Sequence, residues 1–450
     1  MIIIIIVYGG MLLLSFFQIR KGYQLDGFEP YEDLLMSENT KPVSILVPAY
    51  NESAGIYGSI RSLLSIEYPE YEIIIINDGS KDDTLEKLIS KFKLVKINRV
   101  IRKQLKTKEV KGVYQSSIYS NLFVLDKENG GKADALNAGI NFSKYPYFCS
   151  LDGDSIIERN AFLKVLKPII ESDEEVVASG GSVRIANGCD IQNGELISVG
   201  LSRKPLVVMQ VIEYLRAFLT GRVGLSRNNL LLIVSGAFGV FSKKWVVEAG
   251  GYAHTVGEDM ELVVRLHKLI KEKKANKKIV YVPDPVCWTE APESIKYLRR
   301  QRKRWHRGLF ESLWIHRKLM LNPKYGSIGM LSMPYFFFIE FLGPLIELIG
   351  YVLLIVSIFT GSIYVEYAIL FFLLSLIYGS IYSMAAVLLE EWSMERYSKI
   401  RQFVTLFLVS ITETIWYRPL TALWRVEGMI EMVIGKKGWG EMVRKGVSNE

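Results

Sequence analysis

The chain has 450 residues, half of them hydrophobic and 23% charged, with a mean hydropathy of +0.19. That hydropathy is high for a soluble enzyme with so many charges, so charged and apolar residues are expected to be segregated into a soluble domain and a membrane part. The net charge of +8 suits anionic partners such as lipid headgroups or a nucleotide diphosphate. No zinc spacing or aromatic RNP-type run accompanies it, so nucleic acid is not an expected partner. Cys149, Cys189 and Cys287 lie too far apart for a disulfide framework or a metal cluster, and a reducing compartment is expected.

Ile2 to Phe17 is an uncharged run near the lower limit for a membrane span. No positive segment precedes it and no small-residue cleavage site follows, so residues 1–21 read as a transmembrane helix rather than a cleaved signal. Arg20 and Lys21 come next, and by the positive-inside rule the chain beyond is expected in the cytoplasm. Residues 22–40 are a polar connector that opens a domain over 22–290.

From Val43 on, strands and helices alternate. Strands are expected at Val43–Val47, Ile73–Ile76, Leu122–Leu125 and Tyr147–Leu151, with helices over 55–66, 82–92 and from Lys132 to Phe142. This alternation predicts a parallel, doubly wound α/β sheet, with residues 93–120 as a basic excursion from it. Val176–Ile185 and Leu230–Phe241 read as further strands, and a helix is expected from Glu258 through Lys274.

Residues 296–318 hold nine Lys or Arg against one acid, Glu311, with Leu298, Trp305, Leu309 and Leu313 at helical spacing. A basic amphipathic helix of this kind lies on a membrane surface, and the interfacial region is expected over 291–326. Residues 327–434 are mostly apolar and predict transmembrane or interfacial helices. Met330–Phe359 carries Glu340, Pro344 and Glu347; Tyr367–Leu389 is uncharged throughout; Phe403–Tyr417 is interrupted by Glu413. Intramembrane carboxylates are costly and face either a bundle interior or a polar path. Residues 435–450 form a basic tail, expected in the cytoplasm.

Chemistry-bearing residues gather at strand ends, where open α/β sheets bind ligands. The strand at Tyr147 stops in Asp152-Gly153-Asp154. Two hard oxygen donors suit a divalent cation that keeps waters and holds a substrate phosphate, although Asp and Gly also serve a plain turn. Asp78 stands at the tip of a four-isoleucine strand. Lys132 follows two glycines ahead of a helix, a place for a phosphate and equally for a solvated lysine. It is not a P-loop, because the GxxxxGK[ST] spacing fails and Ala133 replaces the hydroxyl residue. Glu258 and Asp259 open a helix, either as a capping pair or as a general base beside a second carboxylate that raises the pKa of one of them. Gln301, Arg304 and Trp305 share one side of the basic helix: an amide, a guanidinium fork and an aromatic platform. His254, His267, His306 and His316 show no metal-ligand spacing and read as structural or surface residues.

In this order the motifs resemble one family, the processive, membrane-embedded family-2 glycosyltransferases, similar to cellulose, hyaluronan and poly-N-acetylglucosamine synthases. The likeness covers residues 42–310 by motif and the rest by topology. It implies a GT-A type, Rossmann-like cytoplasmic domain in a multi-pass protein of the cell membrane. Pro48 to Glu52 resembles the uridine-contacting loop, which assigns Ala49, Tyr50 and Glu52 to the nucleotide. Asp78 resembles the first nucleotide-binding aspartate, and Lys132 with Leu136-Asn137 resembles the K-x-x-x-L-N helix. Asp152-Gly153-Asp154 matches the D-x-D motif, with Asp152 and Asp154 on Mg²⁺ or Mn²⁺. Glu258-Asp259 matches the base-bearing E-D motif, with Gly257 where many members have Thr. Gln301-Arg302-Lys303-Arg304-Trp305 matches Q-x-x-R-W, which assigns Arg304 to the donor diphosphate and Gln301 and Trp305 to the acceptor, together with Ser235 and Gly236. The tail from Trp439 to Gly446 is most like the poly-N-acetylglucosamine branch.

The implied reaction is inverting, metal-dependent transfer from UDP-N-acetylglucosamine or UDP-glucose to a growing β-linked polysaccharide that passes through the bilayer, with an accessory membrane subunit among the partners. One alternative keeps the fold and transfers a single sugar to a polyprenyl phosphate; Gln301 to Trp305 argues against it. The non-enzyme alternative is a transporter or receptor with a nucleotide-sensing domain, against which stand the small number of spans and the lack of internal repeats.

Overall fold

The computed structural model describes residues 2–26, 40–153, 155–172, 174–192, 194–361, 364–394 and 400–435. Asp154, most of the connector 22–40 and the tail beyond residue 435 lie outside the described residues. The chain divides into two compact units. One comprises Gly22–Val199 and Leu231–Glu290; the other comprises Met1–Lys21, Gly200–Leu230 and Ala291–Met442.

The first unit is a sheet packed with helices. In chain order it runs β1 (Val43–Ala49), α1 (Ile56–Leu64), β2 (Tyr71–Asn77), α2 (Thr84–Phe92), β3 (Leu94–Ile97), β4 (Val110–Ser116), β5 (Leu122–Lys127), α3 (Lys132–Phe142), β6 (Tyr147–Leu151), β7 (Ile156–Ile157), α4 (Ala161–Glu171) and β8 (Val176–Ile185). A small hairpin, β9 (Asp190–Gln192) with β10 (Glu195–Ser198), precedes β11 (Phe238–Ser242), α5 (Lys243–Glu248), α6 (Glu258–Glu272) and β12 (Lys278–Thr289). The ten-stranded sheet has the order β3-β4-β5-β2-β1-β6-β11-β8-β12-β7.

Its centre, β5-β2-β1-β6, is parallel, and these strands are the near-continuous apolar runs expected where helices cover both faces. Ile73 to Ile76 are wholly buried. The sheet as a whole is mixed, which corrects the all-parallel expectation. β11 runs antiparallel to both β6 and β8, and the basic excursion folds back as β3 and β4, antiparallel to each other and to β5. The strand expected over Leu230–Phe241 begins only at Phe238, where pairing with Leu151 starts. Residues 231–237 are irregular instead, which frees their backbone for the site described below. On the inner face, Gly139 of α3 permits close approach to the sheet. A Cβ there would lie 3.0 Å from Ile76 Cδ1 and 3.1 Å from Leu46 Cδ2.

The second unit is helical. It contains the helix Ile2–Asp26 as far as Lys21, the basic helix Ile295–Ile315 and two stretches, Ile328–Phe359 and Val365–Ser393, that are long and apolar enough to cross a membrane. Glu340, Glu347 and Glu413, the carboxylates singled out in its apolar sequence, are all engaged. Glu413 pairs with Arg216 at 2.8 Å and accepts from Ser383 Oγ at 2.5 Å. Glu347 pairs with Arg418 at 3.1 Å and accepts from Tyr351 at 2.7 Å. Glu340 accepts from Tyr335 at 2.5 Å and from Tyr8 of the N-terminal helix at 3.4 Å. These contacts favour the bundle-interior account over a polar path. Breaking a buried ion pair strands the surviving charge. Glu413→Ala is therefore expected to destabilise the solubilised protein by about 3–5 kcal/mol, read as a fall in Tm, and Arg216→Leu combined with Glu413→Leu to recover most of it. An unchanged Tm in Glu413→Ala would contradict the bundle-interior account.

Candidate active site

The site is built from loops at the carboxyl ends of β1, β2, β5 and β6, closed by the irregular segment before β11 and the first turn of α6. The loop after β1 is held against the loop after β2. Asp78 N donates to the Ala49 carbonyl oxygen, Asn51 N to Ser80 Oγ, Lys81 N to Asn51 Oδ1 and Glu52 N to Thr84 Oγ1. Asn51 takes a positive φ of 55°, a turn conformation that Asn tolerates. Ala49 is buried, whereas Tyr50 next to it is 44% exposed and presents its ring outward. Gly153, in the turn after β6, faces this loop: a Cβ on it would meet the Pro48 carbonyl at 3.4 Å and Glu52 Cγ at 3.7 Å.

Asp78 is almost fully buried. Its Oδ1 accepts from Gly130 N at 3.0 Å and its Oδ2 from Gly131 N at 2.7 Å. The aspartate at the tip of β2 thus holds the glycine turn from which α3 starts. Gly131 adopts φ +86°, a conformation only glycine takes without strain, and Lys132 follows as the first residue of the helix.

Lys132 is the centre of the site. Its Nζ donates to Asp152 Oδ1 at 2.7 Å, lies 3.2 Å from Glu258 Oε1 and reaches the Gly236 carbonyl at 3.4 Å. Burial disfavours its charge, but Asp152 and then Glu258 outweigh that cost and hold its pKa above the ordinary lysine range. Glu258 is buried, and burial raises its pKa above the ordinary carboxylate value; Lys132 acts in the opposite direction and Asp259 in the same one. The two members of the E-D pair are therefore unlike. Glu258 turns inward to the ammonium, while half-buried Asp259 accepts from Met260 N through Oδ1 at 2.8 Å. Asp259 Oδ2 lies 3.3 Å from where a Gly236 Cβ would be, and Lys132 Nζ lies at the same distance. Gly236 thus leaves a small cradle between the ammonium and Asp259. Ser235 beside it is buried, and its Oγ accepts from Ala237 N at 3.3 Å.

Asn137, in the same helix as Lys132, gives its motif position a structural reason. Its side chain donates to the Tyr252 carbonyl at 2.9 Å and accepts from Tyr252 N at 2.8 Å. Gly251, at φ +75°, would place a Cβ 2.5 Å from Asn137 Oδ1. One helix therefore fixes both Lys132 and the segment that leads into Glu258. Of the histidines, His267 is a core residue; burial lowers its pKa to about 4, and its Nε2 sits 2.8 Å from the Leu231 carbonyl.

Gln301 and Trp305 belong to the helical unit, on Ile295–Ile315. Among the three residues between them is Arg302, to which the motif assigns no role. Wholly buried, Arg302 pairs with Glu213 at 2.5 Å, donates to Gln301 Oε1 at 2.7 Å and lies 4.4 Å from the Trp305 ring centroid. A guanidinium that holds a buried Gln on one side and an aromatic face on the other orders both. Trp305 keeps 43% of its surface exposed, and Arg304 is half-buried. An arginine inside a motif usually read for its flanking residues gave no signal of burial in the sequence.

Among the described residues no three metal-ligating side chains cluster. The Asp152 carboxylate nevertheless already holds a cation, the Lys132 ammonium, so its environment is suited to positive charge.

The sequence matches the family described as Glycosyl transferase family 2 over residues 44–246 and Glycosyl transferase family group 2 over residues 207–388. It is 32% identical to a poly-beta-1,6-N-acetyl-D-glucosamine synthase of Staphylococcus epidermidis, over 63% of this chain and 60% of that protein. It is 31% identical to the synthase of the same name from Staphylococcus aureus strain COL, over 60% of this chain and 55% of that one. In fold it is similar to a mannosyltransferase from Pyrobaculum calidifontis, with a TM-score of 0.52 over 96% of this chain and 99% of the other at 14% identity. Two overlapping matches that run from residue 44 to 388, on a GT-A-like mixed sheet, make this chain a family-2 glycosyltransferase.

Proposed function

We propose that the chain transfers a sugar from a UDP-sugar, UDP-N-acetylglucosamine or UDP-glucose, to the end of a growing β-linked polysaccharide, with inversion at the anomeric carbon, and that the product passes across the membrane in which the enzyme sits. The observation that carries this reading is the convergence of Asp152, Glu258 and the Gly236 carbonyl on Lys132 Nζ. The relatives named as poly-beta-1,6-N-acetyl-D-glucosamine synthases support a polymeric product and favour the N-acetylated donor. The mannosyltransferase of similar fold, in complex with GDP-Man and Mn²⁺, supports a nucleotide-sugar donor and a divalent metal.

Asp152 and Asp154 would hold Mg²⁺ or Mn²⁺, since a hard cation that keeps waters and phosphate oxygens needs only one or two protein carboxylates. When bound, such an ion supplies Lewis-acid stabilisation of the charge developing on the UDP leaving group. Ala49, Tyr50, Glu52 and Asp78 form the nucleotide side of the site. Lys132, held charged, exchanges carboxylate partners for diphosphate oxygens, and Arg304 meets the same diphosphate. Asp259 takes the proton from the acceptor hydroxyl as that oxygen attacks the anomeric carbon. The new C–O bond forms as the bond to UDP breaks, so a single displacement turns an α-linked donor into a β-linkage. Gly236 and Ser235 leave room for the acceptor beside Asp259, and Trp305 and Gln301 bind its terminal sugar. An accessory membrane subunit completes the set of partners.

Asp259→Asn is expected to lower kcat by about 10²–10⁴-fold while UDP binding, followed by calorimetry, stays at the wild-type level. Transfer at the wild-type rate would remove Asp259 as the base. Chelation with EDTA is expected to abolish transfer without lowering Tm, and added Mn²⁺ or Mg²⁺ to restore it; full activity in EDTA would contradict the assignment of Asp152 and Asp154.

A further inference from the structure

A buried cation that the reaction scheme does not use stands behind the glycine turn. Lys127, the last residue of β5, has no exposed side-chain surface. Its Nζ lies 2.6 Å from Asp78 Oδ1, 2.6 Å from Asp134 Oδ1 in the first turn of α3 and 2.6 Å from the Glu128 carbonyl oxygen. Both carboxylates are themselves nearly fully buried. Two anions so placed are tolerated only with a cation between them.

Each carboxylate also takes backbone donors. Asp78 receives Gly130 N and Gly131 N, and Asp134 receives Lys108 N at 3.1 Å. Asn129 Nδ2 donates to the Asp78 carbonyl at 2.7 Å. The turn has no slack: a Cβ on Gly79 would lie 2.8 Å from Asn129 N, and one on Gly130 would lie 2.5 Å from Asp134 Cγ. Lys127 therefore ties the tip of β2, the end of β5 and the start of α3 into one closed arrangement. The next residue along the helix start is Lys132, whose ammonium must reach Asp152.

We propose that Lys127 is a positioning residue for donor binding: it fixes Asp78 and the Gly130-Gly131 turn so that Lys132 is delivered to the diphosphate. This rests on the reading of Asp78 and Lys132 as donor-binding groups. A charge that fixes geometry before the donor arrives acts on donor affinity far more than on the bond-breaking step.

The test uses full-length, detergent-purified protein and compares wild type with Lys127→Met, Lys127→Arg and Leu122→Ala, the last a buried apolar position at the opposite end of β5. Lys127→Met is expected to raise the UDP-sugar KM and the calorimetric Kd for UDP by about tenfold to a hundredfold, with kcat at saturation within about threefold of wild type. Lys127→Arg, which keeps the charge, restores much of the affinity. Leu122→Ala lowers Tm but leaves KM and Kd unchanged. If Lys127→Met fails to fold, Asp134→Asn carries the same expectation, because it loosens the turn from the other side of the ammonium. Wild-type UDP affinity in the folded Lys127→Met or Asp134→Asn variant would overturn the inference, as would a rise in Kd in Leu122→Ala that tracks its loss of Tm. Absence of UDP binding by the wild type is a separate outcome: it removes the donor-site reading itself, and the inference with it.

Discussion

The ammonium of Lys132 holds together three pieces of chain that are far apart in sequence: the tip of β6, the first turn of α6 and the irregular segment at Gly236. Charge repulsion between Asp152 and Glu258 in a partly desolvated cleft would open the site if that cation were absent. With it, the carboxylates are drawn inward around a single positive charge. The burial that raises the pKa of Glu258 is the same burial that makes the pairing strong, since both follow from the poor solvation of the cleft. In the proposed reaction a donor diphosphate would bring its own negative charge to this ammonium and exchange with the carboxylates that hold it.

The supporting architecture distributes its charges by the same logic. Behind the site, Lys127 neutralises Asp78 and Asp134. In the helical unit, Arg302 satisfies Glu213 and Gln301, while Arg216 and Arg418 satisfy Glu413 and Glu347. In each case a buried or partly buried carboxylate meets a guanidinium or ammonium. Such pairs add little net stability over apolar packing, but removing one member is costly.

Much of this was legible in the residues. The apolar runs at Val43, Ile73, Leu122 and Tyr147 end in Ala49, Asp78, Lys127 and Asp152 because buried strands of a parallel sheet need no polar alternation until they leave it. Val176–Ile185 was read to the residue. What escaped was set by tertiary contacts. β12 was missed because Pro283 and Pro285 interrupt it and its pairing shifts register there. The irregular stretch before Phe238 reads as an apolar strand, and only pairing with β6 decides where extension becomes a ladder. The antiparallel return of residues 93–120 hides behind lysines and arginines that face water on an edge. The inequality of Glu258 and Asp259 follows from which side of α6 faces Lys132, and sequence adjacency cannot reveal that. Lys127 and Arg302 give no sign of burial in the sequence because the carboxylates Asp78 and Glu213 that pair with them lie tens of residues away.

The measurement that tests the central claim most directly is UDP release by the purified, detergent-solubilised protein with Mg²⁺ or Mn²⁺ against a panel of UDP-sugars, with the product sized in the same reactions. The account predicts release with one UDP-sugar and a long polysaccharide product. Release that yields one sugar per polyprenyl phosphate would contradict the polymerase reading, and no release with any sugar of the panel would contradict the donor assignment.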